Sequence, residues 1–212
     1  MSLLNSLKKH KKKVLFSAAF LLFIGWMVDG VYDLHRDLLK VYDVPLALTY
    51  APNLEEADIV VIDFNRYGCG ACRELHPVLM EAIEQDGRVL YAPRTLVFED
   101  EWQEFLVRTT YAAAAQGKMI EMHRAIYGNW PINSRQILFD IARDIGLDVQ
   151  KLSRDISDPA FLEYIQESEY YFQGWGLSRT PSLLIGETSI YVPIDGLPTV
   201  EELLDIFEKS RS

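Results

Sequence analysis

The spacing of apolar residues changes several times along this chain. Val14 to Val28 is an apolar run without a charge, preceded by Lys8, Lys9, Lys11, Lys12 and Lys13 and followed at once by Asp29. Val31 to Val41 carries apolar residues at 31, 34, 38 and 41, a helical stripe that Pro45 ends. Leu46 to Tyr50 suggests an edge strand, and Ile59 to Phe64, apolar but for Asp63, reads as a buried strand. The next segment has apolar positions at 72, 75, 79, 82 and 83, one face of a helix. Pro77 lies inside it and removes the N–H that would bond the Arg73 carbonyl, so a kink is expected. Arg88 to Val97 reads as a second strand interrupted by Pro93.

From Asp100 to Gln173 strong helix formers dominate. Asn133 or Ser134 caps one helix that Gly146 ends, and Asp158-Pro159 opens another with proline in its first turn. Strand pattern returns in Ser182 to Ile185 and Ser189 to Val192, a hairpin turning through Gly186-Glu187-Thr188. Thr199 caps a final helix with Glu202 in the capping-box position and a face of Leu203, Leu204 and Phe207. Strand, helix, strand, helical block, hairpin, helix is the order of an α/β thioredoxin fold with an inserted all-helical domain. The expected division is 1–30 lysine-rich tip and hydrophobic segment, 31–44 juxtamembrane helix, 45–99 with 174–212 thioredoxin-fold domain, and 100–173 helical insertion.

The N-terminal run is a targeting or anchoring segment. Its 15 residues fall short of the roughly 20 of a comfortable helical span and suit a signal-peptide core. The small residues that a cleavage site needs are nevertheless poorly supplied around Gly25 to Gly30, so an uncleaved anchor is expected, with a cleaved signal peptide as the alternative. In either case lysines held on the cytoplasmic side send the rest of the chain out of the cytoplasm. The net charge of −10 argues against a nucleic-acid partner, because phosphate neutralisation needs a basic surface.

Only two cysteines occur, too few for a disulfide framework in a chain of 212 residues. They stand as Cys69-Gly70-Ala71-Cys72 between the buried strand and the helix. A first cysteine at a helix N-terminus meets unpaired N–H groups and the positive end of the dipole, which stabilise a thiolate. Cys72 shares the buried stripe with Leu75 and Leu79, whereas Cys69 does not. A rival reading makes Cys69, Cys72 and His76, one turn further on, three ligands of a zinc or copper ion. His35 reads as solvated, His123 as a partnered helix side chain, and Tyr170-Tyr171-Phe172 with Trp175 as core packing.

The phrases DFNRYGCGACRELHP, AAAAQGKMIEMHRAIYG, GLSRTPSLLIGE and GLPTVEELLDIF resemble the DsbA-like family of exported thiol–disulfide oxidoreductases, from about Ile59 to the C-terminus. The resemblance implies disulfide formation in reduced or unfolded extracytoplasmic proteins at the periplasmic face of a bacterial inner membrane, with a membrane redox partner that recycles the cysteines, and with disulfide reduction or isomerisation at the same site as the alternative. It implies no cofactor beyond the Cys69-Cys72 disulfide itself. It makes Cys69 the exposed nucleophile and Cys72 the resolving thiol. It makes Asp63 a buried acid managing the proton of the inner cysteine, and desolvation within VVIDF should raise its pKa. It makes Pro181 a cis proline facing the cysteines, with Thr180 offering its backbone to an extended substrate. Gly70-Ala71 departs from the most oxidising members in lacking a histidine, so a less acidic Cys69 than theirs is expected.

Overall fold

The chain is described by a computed structural model over residues 23–33, 35–186, 189–193 and 196–211. Residues 23–33 and 35–39 are helical. Residues 14–22 of the expected anchor lie outside the described residues. Among the described residues no helix is long and apolar enough to cross a membrane.

Strands β1 (Ile59–Asn65), β2 (Val89–Thr95), β3 (Ser182–Ile185) and β4 (Ser189–Tyr191) form one sheet in the order β2-β1-β3-β4. β1 and β2 run parallel, joined by helix α1 (Gly70–Asp86), and β3 and β4 are antiparallel to their neighbours. β1 is interior to the sheet and buried on both faces, which is why its sequence from Ile59 to Phe64 is apolar but for Asp63. Pro93 does not interrupt β2. The backbone N–H of Tyr91 points away from β1 to the Tyr50 carbonyl at 2.7 Å, and two residues on the missing proline N–H falls on that same outer side. The expected strand at Leu46 to Tyr50 is instead a 3-10 turn at Leu46–Leu48 followed by a single bridge from Tyr50 to Tyr91. Pro45 enters that turn, and the Leu48 N–H bonds back to its carbonyl at 2.7 Å.

Five helices separate β2 from β3: α2 (Glu101–Ala114), α3 (Met119–Gly128), α4 (Arg135–Asp144), α5 (Val149–Asp155) and α6 (Pro159–Gly174). Each of α2, α4, α5 and α6 begins at a side-chain cap, from Asp100, Ser134, Asp148 and Asp158. Leu106, Met122, Ile126, Leu138 and Leu152 share one core among these helices. A second core joins Val61, Leu79, Ile83, Leu183, Leu203 and Phe207 from the sheet, α1 and the last helix α7 (Val200–Lys209). Thr199 and Glu202 close the expected capping box at the start of α7. Phe64 meets Phe172 of α6 edge-on at 5.6 Å, so even-numbered β1 residues face α6. Val61 and Asp63 therefore share the opposite face, under α1.

Tyr171 and Phe172 are buried as expected, while Tyr170 is exposed. Tyr171 and Tyr164 flank the guanidinium of Arg94, 5.0 and 4.6 Å from their ring centres. Arg94 is fully buried and donates twice to the Val41 carbonyl and once to Ser168 Oγ.

Candidate active site

β1 ends at Asn65, and the chain turns through Arg66-Tyr67-Gly68 into Cys69, whose N–H bonds the Arg66 carbonyl at 3.1 Å. Cys69 is the N-cap of α1, and its sulfur accepts the backbone N–H of Cys72 at 3.1 Å. The helix N-terminus thus delivers an oriented donor to the sulfur. The two cysteines are unbridged, Cys69 partly exposed and Cys72 buried one turn inside the helix.

β3 lies antiparallel beside β1 with Ser182 opposite Phe64, so the residues preceding β3 arrive at the C-terminal end of β1, where the cysteine turn begins. Thr180-Pro181 is cis, as expected, and the Thr180 carbonyl lies 3.5 Å from Cys69 Sγ, within reach of its S–H. A second cis bond, Trp130-Pro131, gave no sequence signal that distinguished it from any other X-Pro. Trp130 sits beside the turn: a Cβ on Gly68 would lie 3.9 Å from its ring and 3.4 Å from Gln103 Nε2.

These surroundings split the two thiols. Hydrogen bonding from Cys72, foremost, together with donors at the helix start, lowers Cys69 to about 6 against the opposing effect of burial. The same partnership with Cys69, and burial, push Cys72 far upward. One sulfur is a thiolate at neutral pH and the other holds its proton.

Asp63 lies buried on the α1 face of β1, as expected. Burial lifts its pKa to about 7 against the lowering hydrogen bonds from Tyr91 and Asn65. Its Oδ2 accepts from Tyr91 O–H at 2.8 Å and from Asn65 Nδ2 at 3.0 Å, and its Oδ1 is buried without a hydrogen-bond partner among the described residues.

Sequence reasoning missed what surrounds Asp63. Tyr91 Oη lies 3.2 Å from His123 Nε2, His123 Nδ1 lies 2.8 Å from Tyr67 Oη, and Tyr67 Oη lies 2.7 Å from Thr110 Oγ1. Asn65 Oδ1 accepts from Thr95 Oγ1 and Tyr127 O–H. The only hint in the sequence was one histidine on an apolar face of α3, between Met119, Met122 and Ile126. Burial drives His123 well below its ordinary pKa, and drives His76 down to about 3, so both are neutral imidazoles.

The metal reading of Cys69, Cys72 and His76 fails. Among the described residues no three His, Cys, Asp or Glu are arranged to hold a metal ion. The His76 ring is buried within the aromatic cluster, its centre 4.8 Å from those of both His123 and Tyr127, so packing rather than ligation orients it.

Residues 54–209 match the family described as Thioredoxin. A structure described as a thioredoxin-like oxidoreductase from Silicibacter pomeroyi DSS-3 superposes with a TM-score of 0.71 at 28% identity, covering 81% of this chain and 96% of that one. The catalytic domain of Proteus mirabilis ScsC gives a TM-score of 0.68 at 17% identity, over 84% of this chain and 98% of that one. The thiol-disulfide exchange protein alpha-DsbA2 from Wolbachia pipientis also gives 0.68, at 20% identity, over 84% and 97%. Among curated sequences, Thioredoxin-like 1-2, chloroplastic, of Oryza sativa subsp. japonica is 32% identical over 78 residues, 37% of this chain. The match spans 26% of that relative's length.

Proposed function

The chain belongs to the thioredoxin family, with helices inserted between β2 and β3, and from that premise we propose that it is a DsbA-like thiol–disulfide oxidoreductase working as an oxidase, forming disulfides in extracytoplasmic proteins. The observation that carries the direction is the seat of Cys69 Sγ at the N-terminus of α1, where it accepts the Cys72 N–H at 3.1 Å, an arrangement that lowers the Cys69 thiol and raises that of buried Cys72. A stabilised thiolate favours the reduced enzyme, which makes the Cys69-Cys72 disulfide a ready electron acceptor. Gly70-Ala71, holding no histidine, argues for a weaker oxidant than the family members that carry one there.

In the oxidised enzyme a substrate thiolate attacks Cys69 Sγ and breaks the Cys69–Cys72 bond. Cys72 leaves with the electron pair and takes up a proton, for which the protonated carboxyl of Asp63 is the source. A second substrate thiolate then attacks the substrate sulfur of the mixed disulfide, forming the substrate's disulfide and releasing Cys69 as a thiolate. When no second thiol arrives, Cys72 returns its proton to Asp63 and attacks Cys69 Sγ, freeing the substrate unchanged. Thr180, at the entry to β3 and 3.5 Å from Cys69 Sγ, is placed to pair with an extended substrate segment.

The substrates are reduced or unfolded extracytoplasmic proteins, and a membrane oxidant returns the cysteines to the disulfide. The lysines and apolar run of residues 8–28 support export and tethering by an uncleaved segment. A glutathione equilibrium titration of Cys69-Cys72, paired with reoxidation of a reduced, unfolded test protein, tests the direction. The oxidase predicts a potential well above the roughly −270 mV of thioredoxin and recovery of native disulfides. A potential near that value with no oxidative folding makes the enzyme a reductase. For the tether, the mass of membrane-extracted protein decides: a mature chain starting near Val31 means that the segment is cleaved.

A further inference from the structure

His123 has no part in the exchange steps above, yet it is fully buried and its two ring nitrogens meet two different tyrosine hydroxyls. Proton counting fixes the direction of these contacts. Tyr91 has one hydroxyl proton and places it on Asp63 Oδ2 at 2.8 Å. The Tyr91 oxygen is then an acceptor towards His123, 3.2 Å away, and a bare Nε2 there would set lone pair against lone pair. Nε2 therefore carries the imidazole proton, and Nδ1 accepts from Tyr67 O–H at 2.8 Å. With the Tyr67 proton so committed, Thr110 donates to the Tyr67 oxygen at 2.7 Å in preference to the Leu106 carbonyl at 3.1 Å. Every donor from Thr110 through Tyr67, His123 and Tyr91 points towards Asp63.

Both donors to Asp63, Tyr91 O–H and Asn65 Nδ2–H, converge on Oδ2 and leave Oδ1 bare. We infer that His123 is a positioning residue for the carboxyl of Asp63: its Nε2–H commits the Tyr91 hydroxyl to Oδ2, so that Oδ1 alone exchanges the proton with Cys72. A chain of neutral donors stabilises the carboxylate without placing a second ion in the core. It thereby opposes the burial that raises the pKa of Asp63. The inference rests on Asp63 serving as the proton partner of Cys72.

The other titratable or charged groups around the chain are Cys69 at the start of α1, Cys72 and His76 within it, Tyr111 of α2, and Arg124 and Tyr127 of α3. Arg124 lies at the surface, paired with Glu84 at 3.0 Å, and the two histidines are neutral. Cys69 ionises in the same range as Asp63 and acts on it through charge, so the titrations below use a Cys69→Ser background.

Nitrogen-15 NMR of histidine-labelled protein reads the tautomer directly. The expected result is a neutral Nε2–H imidazole at His123 from pH 5 to 8, the ring assigned through its connection to the backbone resonances of His123 itself. An Nδ1–H tautomer overturns the inference, and this measurement stands even if no variant folds. The second arm follows the Asp63 carboxyl by carbon-13 NMR. His123→Phe should raise its midpoint by about half a unit, the worth of one neutral hydrogen bond partly transmitted. Tyr91→Phe should raise it further, and His123→Phe should add nothing in the Tyr91→Phe background. Equal shifts in both backgrounds would mean that His123 acts by packing alone. Neither arm depends on the direction of catalysis. A protein with the expected tautomer and shifts but no thiol–disulfide exchange refutes the proposed function, and the reverse outcome refutes only the role of His123.

Discussion

The sulfur of Cys69 and the carbonyl oxygen of Thr180, separated by 111 positions in the sequence, lie 3.5 Å apart. The contact brings the residues entering β3 against the reactive sulfur because β3 pairs with β1 in a register that sets Ser182 opposite Phe64. A substrate held by the Thr180 backbone would therefore be held at the sulfur it reacts with.

The split between the thiols predicts selective alkylation. In the reduced protein iodoacetamide should label Cys69 with a pH midpoint near 6 and leave Cys72 unlabelled until the protein is unfolded. Cys72→Ser should accumulate mixed disulfides with substrate that gel electrophoresis without reductant resolves, and Cys69→Ser should form none. Labelling of both thiols at equal rates in the native state would contradict the assignment.

Asp63 predicts a pH-dependent stability. Its folded pKa, about 7, lies above its ordinary 3.8, so between these values the native state binds a proton that the unfolded state has lost. Its contribution is full below about pH 4 and is lost as pH rises through 7, on the order of a few kcal/mol in all. In Asp63→Asn that decline should vanish, leaving a protein more stable than wild type at neutral pH, as urea unfolding of the oxidised forms would read. Rapid-quench trapping should show slower escape of Cys72 from the mixed disulfide in the same variant.

The reduced protein adds an opposite slope. Cys69 is lowered from 9.0 to about 6, so between these values the unfolded state binds the extra proton. The reduced form should gain stability relative to the oxidised form as pH rises through that window, and lose the gain as pH falls through about 6. Paired urea titrations at pH 5.5 and 8.5 measure it. A difference between redox forms that ignores pH would place the thiolate elsewhere.

Arg94 predicts a structural cost without a chemical one. Its guanidinium lies between Tyr164 and Tyr171 and satisfies the Val41 carbonyl, so Arg94→Ala removes a buried stack and leaves an acceptor unpaired. A loss of about 2–4 kcal/mol is expected in urea unfolding, with the Cys69 alkylation midpoint unchanged. Arg94→Lys should recover little, because an ammonium neither stacks nor forks.

The elements and their order were written in local periodicity: the apolar run of β1, the stripe at 72, 75, 79, 82 and 83 in α1, and the caps at Ser134, Asp158 and Thr199. The cysteine pair was equally legible, since a helix N-terminus acts on the residue that begins it. Leu46 to Tyr50 misled because one cross-strand bridge and a 3-10 turn present the same apolar alternation as a short strand. His76 misled because spacing along a helix places two side chains on one side without saying what the rings pack against. Asp63 was visible as an acid in an apolar strand, but its hydrogen bonds come from Asn65 on its own strand and Tyr91 on β2, and through Tyr91 it reaches His123 on α3. Sequence by itself determined most of the elements, the order in which they follow and the cysteine pair at the start of α1, because short-range backbone forces act between near neighbours in the chain. Tertiary structure alone decided which oxygen of Asp63 stays bare and which hydroxyls face His123, because buried polar groups take partners from whatever strands and helices the packing brings within hydrogen-bonding distance.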